Sequence, residues 1–228
     1  MVLLRRGLGF SEGEALPCTE GVDWNAVLGL ARRQAVTGLL YAGLQTLEDP
    51  VTLPDEPLFT LAVLISRIEK RGKVLDAFSS RFTASLREDG WHPLVLKGPE
   101  VAHLYPSAFL RESGDLDLWL PEDEWNRFEA AHPLWKKAPD GSLQWEEEGV
   151  PIDLHRRYFD LSCKERLLPE VPSHEATLLM LSAHIRKHCM SSGVGLKQIC
   201  DMAVAYSRLP YDREKLMDIY NRTGTLRW

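Results

Sequence analysis

The chain lacks three common features, and each absence excludes or disfavours a class of protein. No run of apolar residues is long enough to cross a membrane as a helix. Basic residues are not in excess, because 27 lysines and arginines stand against 33 aspartates and glutamates and the net charge is −6. There are also no internal repeats or low-complexity tracts. We therefore expect a globular protein with no membrane partner, and its acidic charge disfavours an extended nucleic-acid substrate.

Cysteine is scarce as well. The chain has four cysteines in 228 residues, and no two of them form a C-x-x-C pair. Cysteines scattered in this way are typical of reduced thiols, and most such side chains are small buried hydrophobes. The pattern predicts a cytoplasmic protein. The four residues are Cys18, Cys163, Cys189 and Cys200.

Hydrophobic periodicity predicts an α+β fold, in which a small mixed β-sheet core is flanked by N-terminal and C-terminal helices. The predicted regions are a helical one over 1–90, the sheet core over 91–160 and a second helical one over 161–228. Residues 1–21 read as irregular, and helices are expected over 23–47 and 58–89. The last residues, 223–228, do not have the pattern of a domain end. We therefore expect the chain to be a fragment or to lack its natural C-terminus.

A pair of acidic residues begins a predicted strand of the sheet core. Asp115 and Asp117 stand two apart in Asp-Leu-Asp-Leu-Trp-Leu, and side chains two apart on a strand share a face. Two carboxylates on one face repel each other, so the arrangement favours a hard divalent metal with oxygen ligands. Asp153 follows in Ile-Asp-Leu-His, on a later strand that can lie beside the first. The alternative is a solvated strand edge and a hairpin carboxylate that faces water.

Two basic residues and a turn near these acids are suited to phosphate. Lys97 and Gly98 end a short predicted strand before a helix that begins at Pro99, and glycine lets a phosphate approach the backbone at a helix N-terminus. Arg111 precedes the acidic pair, and its planar guanidinium suits phosphate oxygens. Two structural alternatives stay open. Lys97 could pair with one of the aspartates, and Arg111 could be a salt-bridge partner that holds the loop.

Three carboxylates and a phosphate-binding turn together indicate a two-metal site for phosphoryl or nucleotidyl transfer. In such a site one metal holds a triphosphate. The other lowers the pKa of an attacking hydroxyl and stabilises the in-line transition state.

Several other polar residues have two interpretations each. His155 shares a strand face with Asp153, so it is expected to contact substrate or to orient that carboxylate. His184 and His188 are four apart on a predicted helix, a spacing that can bind zinc. No clear third ligand follows them, so substrate contacts or core packing are favoured. Asp201 is either a base for an acceptor hydroxyl or a helix-docking residue.

The order of these motifs resembles the uncharacterised nucleotidyltransferase family, which belongs to the polymerase-β-like superfamily. The resemblance is carried by Val95-Leu96-Lys97-Gly98, Arg111-x-x-Gly114-Asp115-x-Asp117-Leu118, Ile152-Asp153-Leu154-His155, and His184-x-x-Lys187-His188 with Asp201. It implies a minimal nucleotidyltransferase core that uses Mg²⁺ (or Mn²⁺) and a nucleoside triphosphate. By position, it implies that Asp115 and Asp117 are the catalytic metal ligands and that Asp153 is the third carboxylate of the metal site. Together with the arguments above, this gives Lys97, Gly98, Arg111 and His155 as the candidate nucleotide-binding residues.

The phosphate turn departs from the superfamily pattern in two ways. Its glycine is usually followed by a serine whose hydroxyl touches phosphate, whereas Pro99 follows Gly98 here. The gap from Gly98 to Asp115 (115 − 98 = 17 positions) is also longer than usual. Lys97 and Arg111 would then supply the phosphate contacts.

We predict an enzyme that transfers a nucleoside monophosphate from a nucleoside triphosphate to a hydroxyl-type acceptor on a small molecule or a protein, with release of pyrophosphate. The missing serine leaves a second hypothesis open, a non-catalytic nucleotide-binding or interaction module with the same fold. A third is a metal-dependent phosphohydrolase that uses His184 and His188. The sequence specifies neither the acceptor nor the base preference.

Overall fold

The computed structural model describes residues 1–10, 16, 19–161, 163, 165–191 and 193–227. Within these ranges the chain forms nine α-helices and one five-stranded mixed β-sheet, which confirms the predicted α+β fold. None of these helices is both long enough and apolar enough to cross a membrane. Cys18 lies outside the described residues, as does Trp228.

Along the described chain, four helices come first, then five strands with two helices between them, and then three helices. The α-helices are α1 (Val2–Gly7), α2 (Trp24–Arg33), α3 (Thr37–Leu44), α4 (Asp55–Glu88), α5 (Pro99–Ala102), α6 (Glu122–Ala131), α7 (His174–Cys189), α8 (Leu196–Arg208) and α9 (Arg213–Arg222). The strands are β1 (Leu94–Val95), β2 (Leu116–Trp119), β3 (Lys136–Lys137), β4 (Leu143–Glu147) and β5 (Val150–His155). Short 3₁₀ turns lie at Ala108–Leu110, Glu165–Leu167 and Thr225–Arg227.

The sheet has the strand order β1-β2-β5-β4-β3. β2 and β5 are parallel neighbours, and the other pairs are antiparallel. In the parallel pair Asp117 lies opposite Asp153. The expectation that the strand of Asp153 lies beside the strand of the acidic pair is therefore confirmed.

One face of the sheet is buried and the other carries the acids. Leu116, Leu118, Ile152 and Leu154 are almost fully buried and pack in a cluster with residues of α4 and α6. Because strand side chains alternate, Asp115, Asp117 and Asp153 point to the opposite side. The alternation of apolar residues thus determines which face of the sheet carries the candidate functional side chains.

A second apolar cluster joins the N-terminal helices to the C-terminal helices. It combines residues of the first helices with residues of the last three, including Leu39, Leu178, Val204 and Ile219. Helix α4, 34 residues long, contributes to both clusters. This long helix therefore connects the packing behind the sheet to the packing of the helical regions.

Three local features differ from the sequence predictions. The helix expected over 23–47 is two helices, α2 and α3, because the chain turns at Ala35, which has a φ of 50°. The irregular stretch expected over 1–21 contains helix α1, so that prediction is wrong for Val2–Gly7. Strand β3 was not predicted; it is two residues long and carries no apolar pattern.

Helix α1 owes its place to a close contact with α3. Gly7 lies against the backbone of Leu39, and Gly43 lies against the backbone of Leu3. A Cβ atom at either glycine would overlap a carbonyl oxygen of the facing helix. Two backbones can approach this closely only at residues without side chains. A contact between glycines leaves no periodic pattern of apolar residues, so hydrophobic periodicity does not predict helix α1.

This contact predicts that Gly43→Ala destabilises the fold. The added methyl group would have to displace backbone atoms of α1, and overpacking of this type costs about 1–3 kcal/mol. Gly29→Ala is the matched control, because Gly29 lies within α2 and an added Cβ meets only the end of the Arg33 side chain at 3.5 Å. Urea unfolding measures both variants. Equal stability of the two would refute the role of the α1–α3 contact.

Candidate functional site

Three carboxylates converge on the open face of the sheet. One oxygen each from Asp115, Asp117 and Asp153 lies within 4.8 Å of the others. The parallel register places Asp117 beside Asp153, and Asp115 comes one residue before β2. Asp117 is buried and the other two are half-buried. In the described part of the chain, no other group of three His, Cys, Asp or Glu side chains is arranged to share a metal ion.

Asp117 is held as a charged carboxylate by two neighbours. Lys97 places its Nζ 3.0 Å from Oδ1 of Asp117, and Nε2 of His155 donates a hydrogen bond to the same oxygen at 2.7 Å. Burial by itself would raise the pKa of Asp117. The hydrogen bond from His155 and the charge of Lys97 outweigh burial, so the pKa lies well below its usual range. Asp117 therefore offers a negative charge at any physiological pH.

Asp115 is in the opposite situation. Burial and the negative charge of Asp117 raise its pKa, and the positive charges of Lys97 and Lys197 offset this only in part. A carboxylate that is desolvated beside another one is stabilised by an added cation. Three clustered carboxylates are also the hard oxygen ligands that Mg²⁺ and Mn²⁺ prefer. The donor set and its unbalanced charge thus fit a divalent metal.

The turn at Gly98 lies directly against this cluster. Gly98 has a φ of 67°, in the left-handed region, and a Cβ there would lie 3.3 Å from the backbone oxygen of Asp115. Pro99 opens α5, which has only four residues, and contributes no N–H. The turn thus brings the backbone close to the carboxylates but offers few donors to a phosphate.

Arg111 is buried and has protein partners for all of its nitrogens. Its Nε and Nη2 donate to the two carboxylate oxygens of Asp201 at 2.7 and 2.8 Å. Its Nη1 donates to the carbonyl oxygen of Gly98 at 3.2 Å and to Oγ of Ser113. The hydroxyl of Tyr105 donates to Asp201 as well, at 2.6 Å. This geometry favours the loop-holding role of Arg111 and the docking role of Asp201, and a phosphate contact by Arg111 stays a prediction.

The two histidines of α7 face the same cavity. Nε2 of His184 lies 3.1 Å from Nε2 of His188, so one ring donates to the other. Burial, the charge of Lys97 and the neighbouring His188 lower the pKa of His184 to about 3, so its ring is neutral. No third metal ligand joins the pair among the described residues. The zinc interpretation therefore gains no support.

Two cavities adjoin the carboxylates. One, of about 230 Å³, lies between the sheet and helices α7 and α8, with Asp115 and Asp117 on one side and His184 and Lys197 on the other. The second, a groove of about 630 Å³, runs over the open face of the sheet and includes Asp115 and Asp153. A larger cavity of about 1360 Å³ beside α3 contains none of these carboxylates, so its size does not make it the candidate site.

Sequence reasoning missed one residue of this site, Lys197. It lies in the first turn of α8 and reaches the same cavity as the acids. A signal was present, because Lys197 is four residues before Asp201 and therefore on the same helix face.

The buried ion pair predicts a large effect of Asp201→Asn on stability. Loss of the charge leaves the buried guanidinium of Arg111 uncompensated, which costs roughly 3–5 kcal/mol. Asp218→Asn is the control, since Asp218 is exposed and pairs with Arg222 within one helix, where such pairs contribute about 0.5 kcal/mol or less. Urea unfolding distinguishes the two. An equally small loss in both variants would contradict a structural role of the Arg111–Asp201 pair.

The raised pKa of Asp115 predicts that Asp115→Asn stabilises the metal-free protein. A folded-state pKa above the unfolded one means that the folded chain binds the proton more tightly, so ionisation destabilises the fold as the pH rises through the folded pKa. The variant should melt at a higher temperature than the wild type at neutral pH in chelator. The difference should shrink as the pH falls towards the ordinary value of 3.8. A variant that melts at or below the wild-type temperature at neutral pH would disprove the argument.

Comparison with known proteins agrees with this geometry. The model of the family described as uncharacterised nucleotidyltransferase matches residues 20–228. The chain matches no curated protein and no solved structure. The matched range includes both acid-bearing strands, the phosphate turn and the C-terminal helices, so the resemblance read from the motifs is confirmed. The chain belongs to the uncharacterised nucleotidyltransferase family.

Proposed function

We propose that the protein transfers a nucleoside monophosphate from a nucleoside triphosphate to a hydroxyl group on a small molecule or a protein, with the help of bound Mg²⁺ or Mn²⁺. Family membership supports the nucleotidyltransferase class. The observation that carries the proposal is the convergence of Asp115, Asp117 and Asp153 within 4.8 Å, between two cavities. Metal dependence and the kind of acceptor are inferred from that arrangement.

The carboxylates have distinct tasks in this mechanism. Asp117, kept ionised by Lys97 and His155, would bind a divalent cation without first losing a proton. Asp115 lies between the two cavities and so faces both substrates. When bound, the divalent ions supply positive charge for the triphosphate and lower the pKa of the attacking hydroxyl. Asp153, which opens on the groove, accepts the proton of that hydroxyl at a carboxylate oxygen.

The transfer itself exchanges one phosphorus–oxygen bond for another. The acceptor oxygen forms a bond to the α-phosphorus while its proton moves to Asp153. The bond from the α-phosphorus to the oxygen that bridges to the β-phosphorus breaks, and pyrophosphate leaves with that electron pair. Asp115 and Asp117 would hold the divalent cations, and the positive charge of these ions would allow the anionic phosphates to lie in line with the acceptor beside the carboxylates.

The two cavities suit different substrates. The cavity against α7 and α8 has two lysines on its walls, Lys97 and Lys197, so it favours the polyphosphate. The groove over the sheet carries Lys136, Gln144, Glu146 and Asp153 and is suited to a polar acceptor. The net charge of −6 also opposes an extended nucleic-acid acceptor.

A second candidate function is a nucleotide-binding module without turnover. The observation that favours it is the occupation of Oδ1 of Asp117 by both Lys97 and His155, together with the missing donor at Pro99. Such a protein would bind nucleoside triphosphate and release no pyrophosphate with any acceptor. The three clustered carboxylates, with their mutual repulsion, favour the enzyme.

The first test is calorimetric binding of each common nucleoside triphosphate with and without Mg²⁺. We expect Mg²⁺-dependent binding to the wild type, lost in the Asp115→Asn/Asp117→Asn double variant. In a screen of acceptors, transfer should fall by more than about 100-fold in each single variant, beyond the usual loss for residues that only support a metal ligand.

Asp123→Asn is the control for charge, because Asp123 is an exposed acid at the start of α6. It should bind and transfer like the wild type. Full transfer activity in Asp115→Asn would overturn the mechanism. Binding without pyrophosphate release across all acceptors would favour the second candidate.

A further inference from the structure

Lys97 and Arg111, the two basic residues predicted to contact phosphate, are already paired with protein groups. Lys97 is in contact with Asp117, and Arg111 is bound on all its nitrogens by Asp201, Gly98 and Ser113. Helix α5 is four residues long and begins with Pro99. A nucleoside triphosphate brings several negative charges, so its binding needs a cation that is not already committed to the protein.

Lys197 meets this requirement. It lines the cavity of about 230 Å³ on the side of α8, across from Asp115 and Asp117. No hydrogen bond or ion pair ties its ammonium group to another residue in the part of the chain that the structure describes, and it is half-buried. The cavity therefore contains one lysine that is available to a ligand.

The position of Lys197 is also unfavourable without a ligand. It lies in the first turn of the 13-residue helix α8, where the helix dipole is positive and a cation is destabilising. Burial and the charges of Arg111 and Lys97 lower its pKa, and Asp115 and Asp201 offset this only in part. An anion bound in the cavity would offset these penalties with a favourable charge interaction.

We propose that Lys197 binds the β- and γ-phosphates of the nucleoside triphosphate, the part that leaves as pyrophosphate. The assignment rests on the proposed function. The reacting α-phosphate belongs beside the carboxylates, so the rest of the chain of phosphates extends across the cavity to α8. The binding site is then shared between the sheet and a C-terminal helix, and the Arg111–Asp201 pair holds these two parts together.

Lys197→Met tests the proposal by comparing ligands. With Mg²⁺ present, affinity for nucleoside triphosphate and for inorganic pyrophosphate should fall about 10- to 100-fold, as expected for loss of a charged hydrogen bond. Affinity for the matching nucleoside monophosphate should not change. Lys197→Arg should keep most of the triphosphate affinity, because it keeps the charge.

Lys70→Met is the matched control, since Lys70 is an exposed lysine of α4 and the same charge is removed. Lys197→Gln is a second neutral variant, and thermal unfolding of each protein shows that it is folded. Wild-type triphosphate affinity in the folded neutral variants would overturn the assignment of Lys197, as would an equal loss for triphosphate and monophosphate. A wild type that binds no triphosphate with Mg²⁺ would instead refute the proposed function and the assignment with it.

Discussion

The parallel pairing of β2 with β5 is the constraint on which the candidate site depends. Its register sets Asp117 opposite Asp153, while Leu116, Leu118, Ile152 and Leu154 are buried on the other face. A slip of one residue would bury the acids and expose the leucines. Burial of these four side chains, at about 1.5–3 kcal/mol each, therefore also supplies the energy that holds the carboxylates together against their repulsion.

Among the described residues near strands β2 and β5, some charged side chains have an opposite charge beside them, and others do not. Asp117 has Lys97 and His155, and Arg111 has Asp201. The pKa values of Asp115, Lys197 and His184 are all shifted towards the neutral form, and the three side chains line the same cavity. Strongly shifted pKa values within one cavity are a feature of functional sites. A cation beside Asp115 and an anion beside Lys197 would complete the balance, and a metal-bound triphosphate supplies both.

The Arg111–Asp201 pair gives the C-terminal helices a direct part in the site. It joins the loop before β2 to α8, and Arg111 also holds the backbone of Gly98. A buried ion pair contributes little net stability against an apolar alternative, but its geometry is specific. Arg111 and Asp201 both line the cavity between the sheet and α8, so their pairing joins its two sides.

Much of this architecture follows from local patterns. The alternation in β2 and β5 predicted the strands and the shared face of Asp115 and Asp117, and the helix expected from residue 23 begins where Asp23 caps α2. Each of these signals lies within a few neighbouring residues, because strand alternation and helix caps are properties of short segments.

Tertiary structure decided the rest. The break at Ala35, the packing of α1 on α3, and the partner of Arg111, which is 90 residues away, depend on contacts between distant segments. The same is true of Lys197, which has no hydrogen-bond or ion-pair partner among the described residues because the nearby aspartates are paired with other residues or lie across a cavity. Residue types and their spacing indicate which side chains could take part in catalysis or binding. Which charged groups pair with each other is determined by the packing of distant segments.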